Sequence, residues 1–380
     1  MQCACVWRHW LQAYSALDTT APQETDIEPV LALARSDIRA LTPYSHAQWE
    51  PRLERLHANE SPWRALADHS ATGLNRYPEP QPQALLTALA RLYDVSPDRV
   101  LVGRGSDEAI DLLVRAFCAA GRDAVLITPP TFGMYAVAAR IQGAAVIEAA
   151  LDIERDFAVD VAAVANRLTA NTKLVFLCSP NNPTGTLLAE SDILSLLQAT
   201  AERAVVVLDE AYIEFAGVPS AARLIERYPH LVVLRTLSKA HGLAGARIGT
   251  LIARPGIVAL LRRIIPPYAI AQPTLEAALA VLSAPQLAVS AQQVRTLVLE
   301  RERIAISLTS FPGVEKVWPS CANFLLVTFK KPQRQFDALK EAGLLVRDFR
   351  QQPGLSRALR ITVGSPEQNE RLLRAVELLT

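Results

Sequence analysis

The chain has 380 residues, half of them hydrophobic, with a net charge of +1 and a pI near 7.7. That length suits one large domain and a smaller one with ample core, and the balance of charge leaves no electrostatic footprint for nucleic acid or an anionic membrane. No unbroken apolar run is long enough to span a bilayer; five cysteines and six scattered histidines argue against a disulfide framework and a zinc enzyme, and for a reducing, cytoplasmic setting.

In chain order, residues 1–40 read as an N-terminal extension and arm. Trp7 and Trp10 are unpatterned there, Cys3 and Cys5 are at most a metal half-site, and residues 19–25 are polar. Residues 41–70 read as an N-terminal part of a small domain, 71–270 as a large domain and 271–380 as a small C-terminal domain. Short apolar runs mark strands at 100–103, 124–127, 145–147, 173–178, 204–208, 231–234 and 248–252. Helical patterns follow Gly105, run over 135–141 and span 190–201. Ser106 or Asp107 is the expected N-cap of the first of these, and its free N–H groups make an anion site. Continuous apolar strands alternating with helices predict an α/β fold: a mostly parallel, seven-stranded sheet with helices on both faces. Beyond Pro266-Pro267, one long helix is expected over 275–308. A smaller α+β unit then follows, with strands at 314–317, 323–329, 344–347 and 359–363.

Lys239 follows the apolar run Leu231–Leu234, with Ser238 before it and Arg247 eight positions on. A lysine at the mouth of such a sheet, beside anion-binding groups, is a candidate Schiff-base former that holds a phosphorylated aldehyde cofactor. Asn182, Asp209, Tyr212 and Lys239 occur in order, each at the carboxyl end of a strand, where open α/β sheets bind ligands. Asp209 closes a buried run, where a charge is costly without a partner; a cap or turn role is the competing reading. Asn182 also fits a turn before Pro183, and Arg247 also fits a surface ion pair.

These clusters resemble the fold-type I aminotransferases that use pyridoxal 5′-phosphate, and among them the histidinol-phosphate aminotransferase family. The resemblance runs from about Leu41 to the C-terminus. It is carried by Leu41-Thr42-Pro43-Tyr44, Arg76-Tyr77-Pro78-Glu79-Pro80, Gly103 to Glu108, Pro130 to Tyr135, Ser179 to Gly185, Asp209 to Phe215, Thr236 to Gly245 and Leu359 to Gly364.

It implies that Lys239 carries the cofactor and moves the proton, that Asp209 faces the pyridine nitrogen, and that Asn182 and Tyr212 bond its phenolic oxygen. Gly105, Ser106, Asp107, Ser238 and Arg247 would hold the phosphate, and Phe132, where the family often has Tyr, would stack on the ring. Tyr77 would reach the cofactor of a partner subunit, so a homodimer is expected. Arg347, Arg360 and Tyr44 would bind substrate, with Asn323 orienting Arg360. His57 stands where the family usually has Asn, and a structural role fits it equally.

The implied reaction is reversible amino transfer between L-histidinol phosphate and 2-oxoglutarate, giving imidazole-acetol phosphate and L-glutamate, in histidine biosynthesis. An aromatic amino-acid aminotransferase and a threonine-phosphate decarboxylase share the cofactor residues. A cofactor-binding regulator would carry an added DNA-binding domain, and no basic helix-turn-helix pattern precedes Leu41.

Overall fold

The computed structural model describes residues 28–45, 50 and 52–377. Cys3, Cys5, Trp7 and Trp10 of the expected extension lie outside the described residues. Seven strands form the main sheet: β1 (Val100–Arg104), β2 (Ala124–Ile127), β3 (Ala145–Glu148), β4 (Thr172–Cys178), β5 (Val205–Asp209), β6 (Leu231–Thr236) and β7 (Ile248–Ile252). Their order is β1-β7-β6-β5-β4-β2-β3. Only β7 runs against its neighbours β1 and β6; the other pairs are parallel. Every residue of β5, β6 and β7 is buried. Both faces are therefore covered, which is why these strands read as unbroken apolar runs. Each Val or Leu so buried contributes roughly 1.5–3 kcal/mol, and the edge strand β3, half exposed, gains less.

Helix Glu28–Ala32 joins this core through Val30, and Ala34 buries just beyond it. The Arg35 N–H donates to Ala116 O at 2.9 Å, tying that segment to the large domain.

The long helix expected over 275–308 is two helices, Gln272–Val281 and Ala284–Thr309, bent by 73°. Ser283 caps the second in extended backbone, and Pro285 sits in its first turn. Proline lacks the N–H that a continuous helix needs, but fits a first turn without loss. No single helix among the described residues is long and apolar enough to cross a membrane.

The second sheet is antiparallel, in the order β10-β11-β9-β8. Its strands are β8 (Val314–Val317), β9 (Phe324–Phe329), β10 (Arg347–Asp348) and β11 (Ala358–Thr362). β10 has two residues where the sequence predicts four, because Leu344 and Val346 turn onto the core of this sheet before pairing begins. That core takes Ile304 and Leu308 from helix Ala284–Thr309, and Leu372 and Val376 from helix Pro366–Glu377.

The two sheets meet at close range. The Cys321 N–H donates to Gly185 O at 2.8 Å. A Cβ on Gly185, whose φ is +79°, would lie 2.3 Å from Ser320 Oγ, so no larger residue fits there as the domains now sit. A small apolar cluster seals the junction: Ala211, Tyr212, Phe215 and Ala240 against Ala322 and Phe324.

Candidate active site

A cavity of about 560 Å³ opens at the carboxyl ends of the central strands, between the two sheets. It is lined by Gly105, Ser106, Asp107, Phe132, Asn182, Asp209, Tyr212, Ser238, Lys239, Arg247, Arg347 and Arg360. Twelve of the expected site residues thus converge from distant parts of the chain. Tyr44, Tyr77 and Asn323 do not line it.

One end suits a phosphate. Helix Ser106–Phe117 begins there, and its N-cap is Gly105, not the expected Ser106 or Asp107. No side chain caps it, so its first N–H groups stay available to an anion. Gly105 has φ +84°, and a Cβ on it would lie 2.7 Å from Arg247 Nη2. A Cβ on Gly249 would meet the Gly105 carbonyl carbon at 2.0 Å. Two glycines therefore let backbone and guanidinium close around the same spot. Arg247 itself holds φ +59°, a left-handed conformation that costs a non-glycine residue about 1 kcal/mol. Its guanidinium is kept by Asp107 Oδ2 (3.1 Å) and Ala244 O (3.2 Å). Ser238 Oγ accepts from Thr236 Oγ1 at 3.0 Å, which aims the serine at this end.

The opposite end is a buried carboxylate. Asp209 is 3% exposed. Its Oδ2 accepts from the Tyr135 hydroxyl (2.8 Å) and its Oδ1 from the Ala211 N–H (3.1 Å). Burial pushes its carboxyl up to about 6, against the two hydrogen bonds that pull it down. Such a group is mostly ionised at neutral pH and short of a cation.

Lys239 lies between these ends. Its Nζ stands 5.4 Å from the centre of the Tyr212 ring. The side chain is open to the cavity, yet partial desolvation by the walls, then Arg360, push its ammonium below the ordinary value; Asp209 pulls the other way. An amine so placed gives up its proton more readily than a surface lysine. Tyr212 is raised, chiefly by burial, so its phenol stays a donor.

Arg347 and Arg360 are direct cross-strand partners in β10 and β11. Residues so paired share a face of the sheet, and both guanidiniums line the cavity. Arg360 donates from Nη1 to Asn182 Oδ1 and lies over the rings of Phe324 (5.0 Å) and Phe349 (5.2 Å). Its partner is thus Asn182, not the expected Asn323, whose carbonyl accepts the Val363 N–H at 2.9 Å. Asn182 thus lines the cavity with its Oδ1 engaged by Arg360.

Tyr44 is 73% exposed and Tyr77 50%. Tyr77 stacks on Tyr268 (4.5 Å, 17°), and His57 is exposed on the same outer segment. Tyr135, read in the sequence as a helix residue at the end of a family motif but given no site role, touches Asp209, and Gln352 and Phe349 complete the wall near the arginines. A tyrosine beside apolar residues in a helix gives one signal: its buried hydroxyl needs a partner.

A donor-rich phosphate end, a buried anion at the far end and an amine between them suit a phosphorylated pyridine aldehyde. Known proteins point the same way. The model of the family "Aminotransferase class I and II" matches residues 50–376. The histidinol-phosphate aminotransferase of Stenotrophomonas maltophilia (strain R551-3) is 51% identical over 361 residues, 92% of this chain and 97% of that protein. That of Xanthomonas oryzae pv. oryzae (strain MAFF 311018) is 52% identical with the same coverage. Among solved structures, the histidinol-phosphate aminotransferase from Sinorhizobium meliloti, in complex with pyridoxal-5′-phosphate, superposes with a TM-score of 0.72 at 24% identity, covering 80% of this chain and 83% of that one. An L-threonine-O-3-phosphate decarboxylase from Porphyromonas gingivalis gives 0.69 at 28%, covering 80% and 91%. With a family match across most of its length and relatives at half identity, the chain belongs to the class I and II aminotransferases, enzymes that work with pyridoxal 5′-phosphate.

Proposed function

We propose that the chain transfers an amino group between L-histidinol phosphate and 2-oxoglutarate; relatives at half identity bear the name histidinol-phosphate aminotransferase. The observation that carries this reading is the pairing of Arg347 with Arg360 above the Lys239 cavity. Two guanidiniums on one face match a phosphate on one substrate and a carboxylate on the other.

Pyridoxal phosphate, when bound, supplies the carbonyl that takes up the amino group and a ring that draws off electrons as the Cα–H bond breaks. Gly105, Ser106 and Asp107, through their N–H groups, and Ser238 and Arg247 would bind its phosphate. Asp209 would hold a proton on the ring nitrogen as its counter-charge. Asn182 Nδ2 and the Tyr212 hydroxyl would donate to the phenolic oxygen, and Phe132 would pack on the ring. Lys239 takes a proton from substrate Cα and returns it on the other side of the transfer, a task suited to a depressed amine. Arg360 binds the glutamate carboxylate and, with Arg347, the substrate phosphate.

The reading also includes a homodimer with shared sites. Leu56, Trp63 and Leu66 of the outer segment are at least 79% exposed, yet the segment is well fixed. Glu60 accepts from Arg55 (2.5 Å), Arg76 (3.0 Å) and the Tyr77 N–H (2.6 Å). A fixed apolar ribbon argues for a partner surface, and Tyr77 and Tyr44, which do not line their own chain's cavity, would then serve a second copy. The three cysteines free in the described residues, Cys118, Cys178 and Cys321, suit the cytoplasm. We place the boundary between the cofactor domain and the small domain near residue 271.

The test is a half-reaction. L-Histidinol phosphate without acceptor should change the cofactor's visible absorption, and 2-oxoglutarate should restore it. Release of CO₂ from threonine phosphate, or equal efficiency on unphosphorylated aromatic amino acids, would sink this substrate.

A further inference from the structure

We propose that Tyr135 is a positioning residue for Asp209, its hydroxyl proton fixing Oδ2 so that the remaining lone pairs of an ionised carboxylate face the cavity. This rests on the cofactor reading above, in which Asp209 pairs with a protonated ring nitrogen.

Tyr135 is fully buried in the first turn of helix Met134–Gln142. Its ring is stacked on Phe176 of β4 (4.8 Å, 9°) and meets Phe132 edge-on (5.6 Å, 84°). Two aromatic neighbours in near-perpendicular planes fix both its tilt and its rotation. The hydroxyl then stands 2.8 Å from Asp209 Oδ2. An ionised carboxylate only accepts, so Tyr135 must be the donor. With the Ala211 N–H on Oδ1, each oxygen has one donor from the protein and a free lone pair.

The alternative state is a protonated Asp209, which burial favours. A neutral acid is no counter-charge. Without the tyrosine hydroxyl, only the Ala211 N–H and the charge of Lys239 would oppose desolvation and the neighbouring Asp107, and Asp209 would keep its proton to higher pH. Tyr135 thus acts through Asp209 and need not touch the cofactor.

The test uses Tyr135→Phe, which removes one oxygen and keeps both ring contacts. Affinity for pyridoxal phosphate is measured by titrating the cofactor-free protein, from pH 5 to pH 9, in wild type, Tyr135→Phe, Asp209→Asn and the double variant. Cofactor binding should weaken roughly 10- to 100-fold in Tyr135→Phe, the range for losing one hydrogen bond to a charged group. The acid limb of the affinity profile should also move to higher pH. In the Asp209→Asn background, Tyr135→Phe should add nothing. Unchanged affinity in Tyr135→Phe while Asp209→Asn binds poorly overturns the proposal and spares the reading of Asp209. Equal losses in both backgrounds overturn it too, since they mean that Tyr135 only packs the core. Unchanged affinity in Asp209→Asn removes the cofactor reading of Asp209, and this proposal with it.

Discussion

The two walls of the cavity are built differently. The cofactor wall grows out of strands buried along their whole length: Asp209 ends β5 and Lys239 follows β6, with no exposed residue in either strand. The substrate wall hangs on a sheet edge: Arg347 sits in a two-residue strand with both residues exposed. Side chains on the first wall have their geometry set by packing that a single substitution barely moves. On the second wall Arg347 is held by one neighbouring strand and by what it binds, whereas Arg360 sits between β10 and β9 and is tied to Asn182. On the proposed reading, the chemistry is therefore pre-set, whereas substrate choice would sit where the chain is cheapest to alter.

Four measurements break or sharpen that contrast. On the rigid wall, Lys239→Ala should abolish turnover and borohydride-fixable cofactor, while circular dichroism and melting stay near wild type. Fixation at another lysine would move the site elsewhere. Asp209→Asn should cut the rate by about 100-fold or more, since a fixed charge at a reacting centre is worth roughly 3 kcal/mol; a near-normal rate would make Asp209 a mere cap.

On the edge wall, Arg347→Ala should lower efficiency for the phosphorylated substrate roughly 10-fold or more while glutamate suffers less, and Arg360→Ala should hurt both. An equal loss for both substrates in Arg347→Ala counts against the phosphate role.

The smallest effect concerns the cofactor-free protein. The carboxyl of Asp209 is raised from its ordinary value to about 6. A raised acid binds its proton more tightly folded than unfolded. Its stability contribution is therefore complete below about 3.8 and lost as pH rises through about 6. Urea unfolding should show wild type losing up to about 3 kcal/mol over that window relative to Asp209→Asn. Parallel profiles would mean that the carboxyl is hydrated.

Much of the rigid wall was legible in the sequence, and the reason is burial. Strands covered on both faces must be apolar throughout, so Val205–Asp209 announces itself and makes the charge at its end conspicuous. Lys239 and Arg247 stand out by their nearness to one another. The contacts that tune these residues were not legible. Tyr135 and Asp209 lie 74 positions apart, and Asn182 and Arg360 178 apart; hydrogen bonds over such separations leave no periodic trace. The resemblance offered Asn323 as the partner of Arg360, and the fold pairs Arg360 with Asn182. The outer segment is a different case, since a residue expected to reach a partner lies outside its own chain's cavity. Tyr44 and Tyr77 carry family motifs, yet lie outside the cavity of their own chain, where one chain's sequence says nothing of a second chain's surface. The helix break at Ser283 was visible as Ser-Ala-Pro, but periodicity ran through it on both sides.

The glycine at 185 gives the cavity a fixed aperture. Its missing side chain is what lets Ser320 and the small sheet come to rest against the turn that carries Asn182. Alanine there would act as a wedge: something must shift when a Cβ stands 2.3 Å from an oxygen. Ser320 Cα itself would lie 2.9 Å from that Cβ, so side-chain rotation alone gives no relief and the backbone on one side must give way. Gly185→Ala is thus a spacer that changes the gape between two walls without touching a residue of either, and it offers a handle for a roomier substrate.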